Sequence, residues 1–116
     1  MIELIDNKYN TPMVIVFNPE PLVITCSISS VIETIKIKLI YEPNMSLIET
    51  TSFINYIKSF NKSERYFEDL ANEIYSSINF VAMPKRLCIK IYRDDNKRMD
   101  WGVTMGDLSI IKEYSL

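Results

Sequence analysis

Thr34-Ile35-Lys36-Ile37-Lys38-Leu39-Ile40-Tyr41 carries the clearest alternation in the chain. Ile35, Ile37, Leu39 and Tyr41 fall two residues apart, so an extended segment puts all four on one face and leaves a mostly wetter face opposite. Such a strand must be covered on its apolar side, and the flanking sequence says by what. Upstream, Met13 to Phe17 is a continuous apolar run stopped by Asn18-Pro19-Glu20-Pro21, since proline cannot donate to a ladder and restricts the residue before it. Leu22 to Ile28 then reads as a second extended segment. Downstream, Glu42-Pro43-Asn44 is a turn.

Beyond that turn the apolar period changes. Over Ser46 to Phe60, Phe53, Ile57 and Phe60 take helical spacing, and over Ser63 to Phe80 so do Leu70, Ala71, Ile74 and Ile78. Asn61-Lys62 is the joint, which predicts an antiparallel helix pair. Pro84 ends the helical region. Lys85 to Arg93 returns to a period of two, with Leu87, Ile89 and Ile91 alternating against Cys88, Lys90 and Tyr92. Asp94-Asp95-Asn96-Lys97 turns the chain into a last strand around Arg98 to Met105. The order of strands, helix, helix, strand, strand predicts an α+β domain in which an antiparallel sheet carries both helices on one face. The segment after Gly106 is too short for periodicity to decide, and its Ile110-Ile111 pair is open to docking on a neighbouring copy.

A chain of 116 residues that is 47% apolar is long enough for one core and too short for two, so residues 1–116 read as a single domain. With 13 Lys and Arg against 15 Asp and Glu, the formal charge is −2. The longest basic run, Lys97-Arg98, lies beside Asp94-Asp95, so charge alone gives no support for nucleic-acid binding. No run approaches the roughly 20 apolar residues of a membrane span. Met1 to Asp6 lacks a cationic, hydrophobic leader, and the expected location is the cytoplasm. Cys26 and Cys88 are then expected as free thiols. Two cysteines with no histidine make a protein-only zinc site improbable.

Cys26 and Glu33 are the candidates for chemistry. A thiol ends one extended segment and a carboxylate begins the next, seven residues later, and a thiolate beside an acid/base group can add to an electrophilic carbon and then manage the protons. Two further acids, Glu49 and Glu68, fall near the starts of the two expected helices. Each has an ordinary reading too. A strand cysteine is usually a small buried hydrophobe, although Ser27, Ser29 and Ser30 give this one a polar exit. Glu33 reads equally as an exposed acid at a strand start. Ser46-Leu47-Ile48-Glu49 fits a capping box, in which Glu49 serves the helix's own amide. Glu68 suits an early helical turn through the macrodipole. Cys88 reads as structural, and Trp101 and the tyrosines as packing or interface residues.

Three motifs in order carry a resemblance. Cys26-Ser27-Ile28-Ser29-Ser30-Val31-Ile32-Glu33, then Tyr41-Glu42-Pro43 leading into Ile48-Glu49-Thr50, then Phe67-Glu68-Asp69 together resemble the 7-cyano-7-deazaguanine reductase (QueF) family of the tunnelling-fold superfamily. They are most similar to its short archaeal members, the QueF-like amidinotransferases that make archaeosine in transfer RNA. The resemblance implies a tunnelling fold that assembles as a homo-oligomeric ring or stacked rings. It implies that Cys26 attacks a nitrile to form a thioimide, that Glu33 handles the proton, and that ammonia displaces the sulfur to leave an amidine. Glu68 and Glu49 would then accept from the base's N–H groups, with Ile48 to Thr50 framing its edge and Phe67 beside it.

The chain departs from the pattern at three places. Glu33 stands where the family has aspartate, and Phe67 where it has histidine. Thr51 and Asn55 occupy the lysine positions of the reductase cofactor signature, which disfavours NADPH and leaves no cofactor expected. A non-catalytic protein that binds a purine- or pterin-like base, or only assembles, is the alternative, and a nicotinamide-dependent nitrile reductase the third reading.

Overall fold

The computed structural model describes residues 1–93 and 102–116. The expected turn at Asp94 to Lys97, the start of the last strand at Arg98, and Trp101 lie outside the described residues. The alternating stretch forms the long central strand β4 (Ile32–Glu42). Its first half pairs antiparallel with β3 (Leu22–Cys26), and its second half with β2 (Ile15–Phe17). The Asn18 to Pro21 segment separates these two because prolines cannot sustain a ladder. On the other side β4 pairs antiparallel with β7 (Arg86–Arg93), which pairs with β8 (Gly102–Gly106).

Ile35, Ile37, Leu39 and Tyr41 are all buried, as the alternation requires, together with Leu22, Ile24, Leu87, Ile89 and Ile91. They pack against Phe53, Ile57 and Phe60, in and just after α1 (Thr50–Lys58), and against Leu70, Ala71, Ile74 and Ile78 of α2 (Phe67–Ala82). Each such side chain contributes roughly 1.5–3 kcal/mol by leaving water. Tyr41 is the one core residue on β4 with a polar end, and its hydroxyl accepts from the Ile48 N–H at 3.0 Å. Burial pushes its phenol up from the ordinary value, as a buried phenolate would lose its hydration.

Three expectations need correction, and one segment left open by the sequence finds its place. Ser46 to Ile48 is not helical: it forms β5 (Ser46–Ile48), which pairs with β1 (Leu4–Asp6) in a separate two-stranded sheet. Ser63 to Tyr66 is not helical either, because β6 (Glu64–Arg65) runs parallel to β3, with the Thr25 N–H donating to Ser63 O at 3.0 Å. The main sheet is therefore mixed, in the order β6-β3-β4-β7-β8 with β2 beside β4. Finally, the segment after Gly106 docks on its own chain. In α3 (Ser109–Tyr114), Ile110 is buried with Ile40 and Cys88, flanked by Val14, Val16, Ile111 and Leu116. That cluster lies on the sheet face opposite α1 and α2, so helices cover both faces. Arg86 ties α3 down, pairing with Glu42 at 3.1 and 3.3 Å and with Glu113 at 2.6 Å.

The start of α1 also settles what Glu49 does in this chain. Its two carboxylate oxygens accept from the N–H groups of Thr51 and Ser52, both at 2.8 Å, which makes it the N-cap itself rather than the far end of a capping box begun at Ser46. Those two backbone donors hold its carboxyl below the ordinary value. Because the folded-state value is depressed, the cap's contribution is present above the ordinary carboxylate range and lost as pH falls through the lowered value. Glu49→Ala is accordingly expected to lower Tm by about 5 °C at pH 7. In thermal melts the gap from the unsubstituted protein closes as the pH is taken below the carboxylate range.

Candidate active site

β3 ends at Cys26, where the chain reverses. The Cys26 N–H donates to Val31 O and the Ser30 N–H to Cys26 O, both at 2.9 Å, and Ser27 N–H donates to Arg65 O of β6 at 3.1 Å. Ser30 takes a left-handed φ of 63° to close the turn. A left-handed non-glycine residue is strained unless its surroundings fix it, and here both flanking hydrogen bonds do so. The turn folds Ser29 back over the sulfur. The Ser29 hydroxyl, then the Ser29 and Ile28 N–H groups, donate to the Cys26 sulfur and hold its thiol below the ordinary value, against smaller opposing effects of burial and the Glu68 charge. These donors favour the thiolate, the nucleophilic form.

Cys26, Ser29, Val31, Glu33, Phe67, Glu68, Arg93, Gly102 and Val103 line one open hollow of about 390 Å³, within the range of small-molecule sites. Four of the seven residues singled out from the sequence are thus brought together: Cys26, Glu33, Phe67 and Glu68. Phe67 and Glu68 open α2, whose N-cap, Tyr66, makes no side-chain cap. Ile48, Glu49 and Thr50 are not among the lining residues. Ile48 is buried, with its N–H taken by Tyr41, while Glu49 caps α1 and its own N–H donates to Glu3 O at 2.9 Å. A larger hollow of about 730 Å³ lies between residues 6–13, 42–45 and Lys85. No cysteine lines it, so thiol chemistry points to the smaller one.

Two residues of this region were not singled out by sequence reasoning. Arg93 clamps Glu33: its Nη2 donates to Oε1 at 3.0 Å, and its Nε lies 3.0 Å from Oε2. Both side chains are mostly buried, 16% exposed for Glu33 and 23% for Arg93. The two meet because β4 and β7 pair with Ile35 opposite Arg93. The pairing fixes the Glu33 carboxylate in one place, beside a permanent positive charge. Tyr66, expected to be a packing or interface residue, hydrogen-bonds Glu68, and that bond with the Glu68 charge pushes its phenol up. Among the described residues no group of three or more histidine, cysteine or carboxylate side chains is placed to hold a metal ion.

Cys88 behaves differently from Cys26. It is fully buried beneath α3, and burial pushes its thiol up. Iodoacetamide is therefore expected to alkylate Cys26 alone. Ser29→Ala should move the midpoint of that reaction toward higher pH, because the donor that favours the thiolate is lost. Peptide mass spectrometry across a pH series reads both outcomes.

No protein-family model matches this chain, and neither does any curated protein sequence. Among solved structures, the crystal structure of the archaeosine synthase QueF-Like in the apo form is similar, with a TM-score of 0.71 and 14% identity. The likeness covers 84% of this chain and 95% of that one. At that identity the likeness is one of fold: this chain has the α+β architecture of that protein, a mixed sheet with packed helices. Among the described residues no helix is long and apolar enough to cross a membrane.

Proposed function

We propose that this protein is an archaeosine-synthase-like amidinotransferase, acting through Cys26 on the nitrile of a 7-cyano-7-deazaguanine base carried in transfer RNA. The observation that carries the reading is the hollow itself. Folding brings Cys26, Glu33 and Glu68, which are scattered along the sequence, to one cavity wall, with hydrogen bonds that favour the thiolate. The solved structure with the same fold, an archaeosine synthase, adds to it.

In this mechanism the Cys26 thiolate forms a bond to the nitrile carbon, and the nitrogen takes up the displaced π pair and a proton, delivered by way of Glu33, to give a thioimide. Ammonia then adds to the same carbon. Collapse breaks the carbon–sulfur bond, returns the electron pair to sulfur as thiolate and the surplus ammonia proton by way of Glu33, and leaves the amidine. The sum is nitrile plus ammonia, with no oxidation or reduction, so no redox cofactor is needed. Glu68, steadied by Tyr66, accepts from the base's adjacent N–H groups, a paired arrangement a carboxylate suits, and Phe67 lies against the ring. Ile48, Glu49 and Thr50 would reach the base only from a neighbouring copy in a ring. Among the described residues β6 and β8 are the end strands of the main sheet's order, where strand pairing of that kind would form.

The test is intact-mass measurement after incubation with 7-cyano-7-deazaguanine. A gain of one base mass, released as amidine on adding ammonia, supports the proposal. The Arg93 clamp on Glu33 favours one further reading, a base-binding protein without chemistry, which predicts measurable binding and unchanged mass. An amine product on adding NADPH would instead indicate a reductase.

A further inference from the structure

The wetter face of the sheet gathers charge that the sequence keeps apart. Ile35, Ile37, Ile89 and Ile91 face the core, so Lys36 and Lys38 of β4 and Lys90 and Tyr92 of β7 face the other way. The strand register sets Lys38 directly opposite Lys90, and Lys36 opposite Tyr92. On the far side Lys90 meets Thr104 and Tyr92 meets Gly102. α3 packs on the other end of this face, over Ile40 and Cys88.

Like charges directly opposite in a sheet destabilise it, and the register sets Lys38 and Lys90 in that relation. Among the described residues no carboxylate forms an ion pair with Lys38 or Lys90, and Glu42 and Glu113, toward the α3 end of this face, are both engaged by Arg86. Beside the lysines stands the half-buried side chain of Tyr92, opposite Gly102 in the register. Gly102 has no side chain to cover Tyr92, and a Cβ there would lie 3.2 Å from the Tyr92 Cβ.

We propose that this end of the sheet binds the phosphodiester backbone of single-stranded RNA, with Lys38 and Lys90 on successive phosphates and Tyr92 stacking a base. The proposal rests on the RNA half of the function given above and supplies its surface: a chain with a net charge of −2 presents a local cationic face to a polyanion. Lysines laid along a flat sheet next to an aromatic ring suit a strand that alternates phosphate and base. A free phosphate would instead call for donors converging on one point.

The experiment is fluorescence anisotropy with a labelled 12-nucleotide RNA that carries no nitrile, over a range of salt concentrations. Binding should weaken linearly in log–log form, and Lys38→Gln with Lys90→Gln should flatten the slope by about 1.4, the loss of two phosphate contacts. Tyr92→Ala should weaken binding about tenfold and leave the slope unchanged. None of the three residues lines the Cys26 hollow, and their substitution should leave adduct formation with the free base intact. Absence of binding, or a slope indifferent to both lysines, overturns the proposal. So does displacement of the RNA by inorganic triphosphate combined with indifference to Tyr92→Ala, which would mark a site for free phosphate. RNA binding that persists in a protein forming no nitrile adduct sinks the chemistry at Cys26 but not this surface. The reverse result sinks this surface alone.

Discussion

Cys26→Ala is expected to abolish the nitrile adduct and cut amidine formation on the order of 10⁴-fold, a loss of the size that follows removal of a covalent nucleophile. Without the sulfur, ammonia must add to a nitrile that nothing has activated. Affinity for the free base should change little, since Glu68 and Phe67 still line the hollow. The measurement is therefore paired: single-turnover amidine formation for the rate, and calorimetric titration for binding. An adduct that survives Cys26→Ala would place the nucleophile elsewhere. A loss of binding equal to the loss of rate would mean the thiol is only part of the wall.

Glu33→Gln refines the same result. It preserves shape but removes the charge facing Arg93, leaving a guanidinium that is 23% exposed without its partner carboxylate. Slower thioimide formation with a normal second step is the expected split if Glu33 handles the first proton. A lower melting temperature with unchanged kinetics would mean that the Glu33–Arg93 pair is structural.

The parts of the fold visible in the sequence are those set by local periodicity. The alternation through Ile35 to Tyr41 and Leu87 to Ile91 fixed both central strands and their buried faces, and the spacing of Phe53, Ile57, Leu70 and Ile74 located the helical packing. What was misread depends on partners far along the chain. Leu47 and Ile48 fit a helical pattern, yet they pair with Leu4 and Ile5, and nothing in so short a segment as β1 announces that pairing. Glu64 and Arg65 are likewise strand only because β3 offers them an edge. The site divides in the same way. The order of motifs pointed to Cys26, Glu33, Phe67 and Glu68, which share a hollow. Arg93 lies sixty positions from Glu33, and only the β4–β7 register brings it there. The Lys38–Lys90 pair escaped notice for that reason also, since a balanced composition hides charges that a sheet sorts by face.

Gly106→Ala is expected to destabilise the fold by about 3 kcal/mol or more, the sum of left-handed strain and overpacking. Gly106 has φ 109°, and a Cβ built there would sit 2.3 Å from the Leu87 carbonyl oxygen and 2.6 Å from the Tyr75 ring. The ring could swing aside, but the carbonyl belongs to β7 and cannot yield without breaking the sheet. The consequence should be directional. Gly106 ends β8 opposite Cys88, and Asp107 next to it is pinned to β7 by two hydrogen bonds with Leu87, at 2.8 Å to its carbonyl and 3.2 Å from its N–H. This joint turns the chain toward the outer face so that α3 can bury Ile110 on Ile40 and Cys88. Opening it should detach α3 before the main core yields. Two readings check this: a Tm lowered by on the order of 10 °C, and Cys88 becoming alkylatable at temperatures where the far-ultraviolet signal of α1 and α2 is still native. If Cys88 stayed protected until global unfolding, α3 would belong to the same cooperative unit as the core, and Gly106 would act on the whole fold instead of on its last helix.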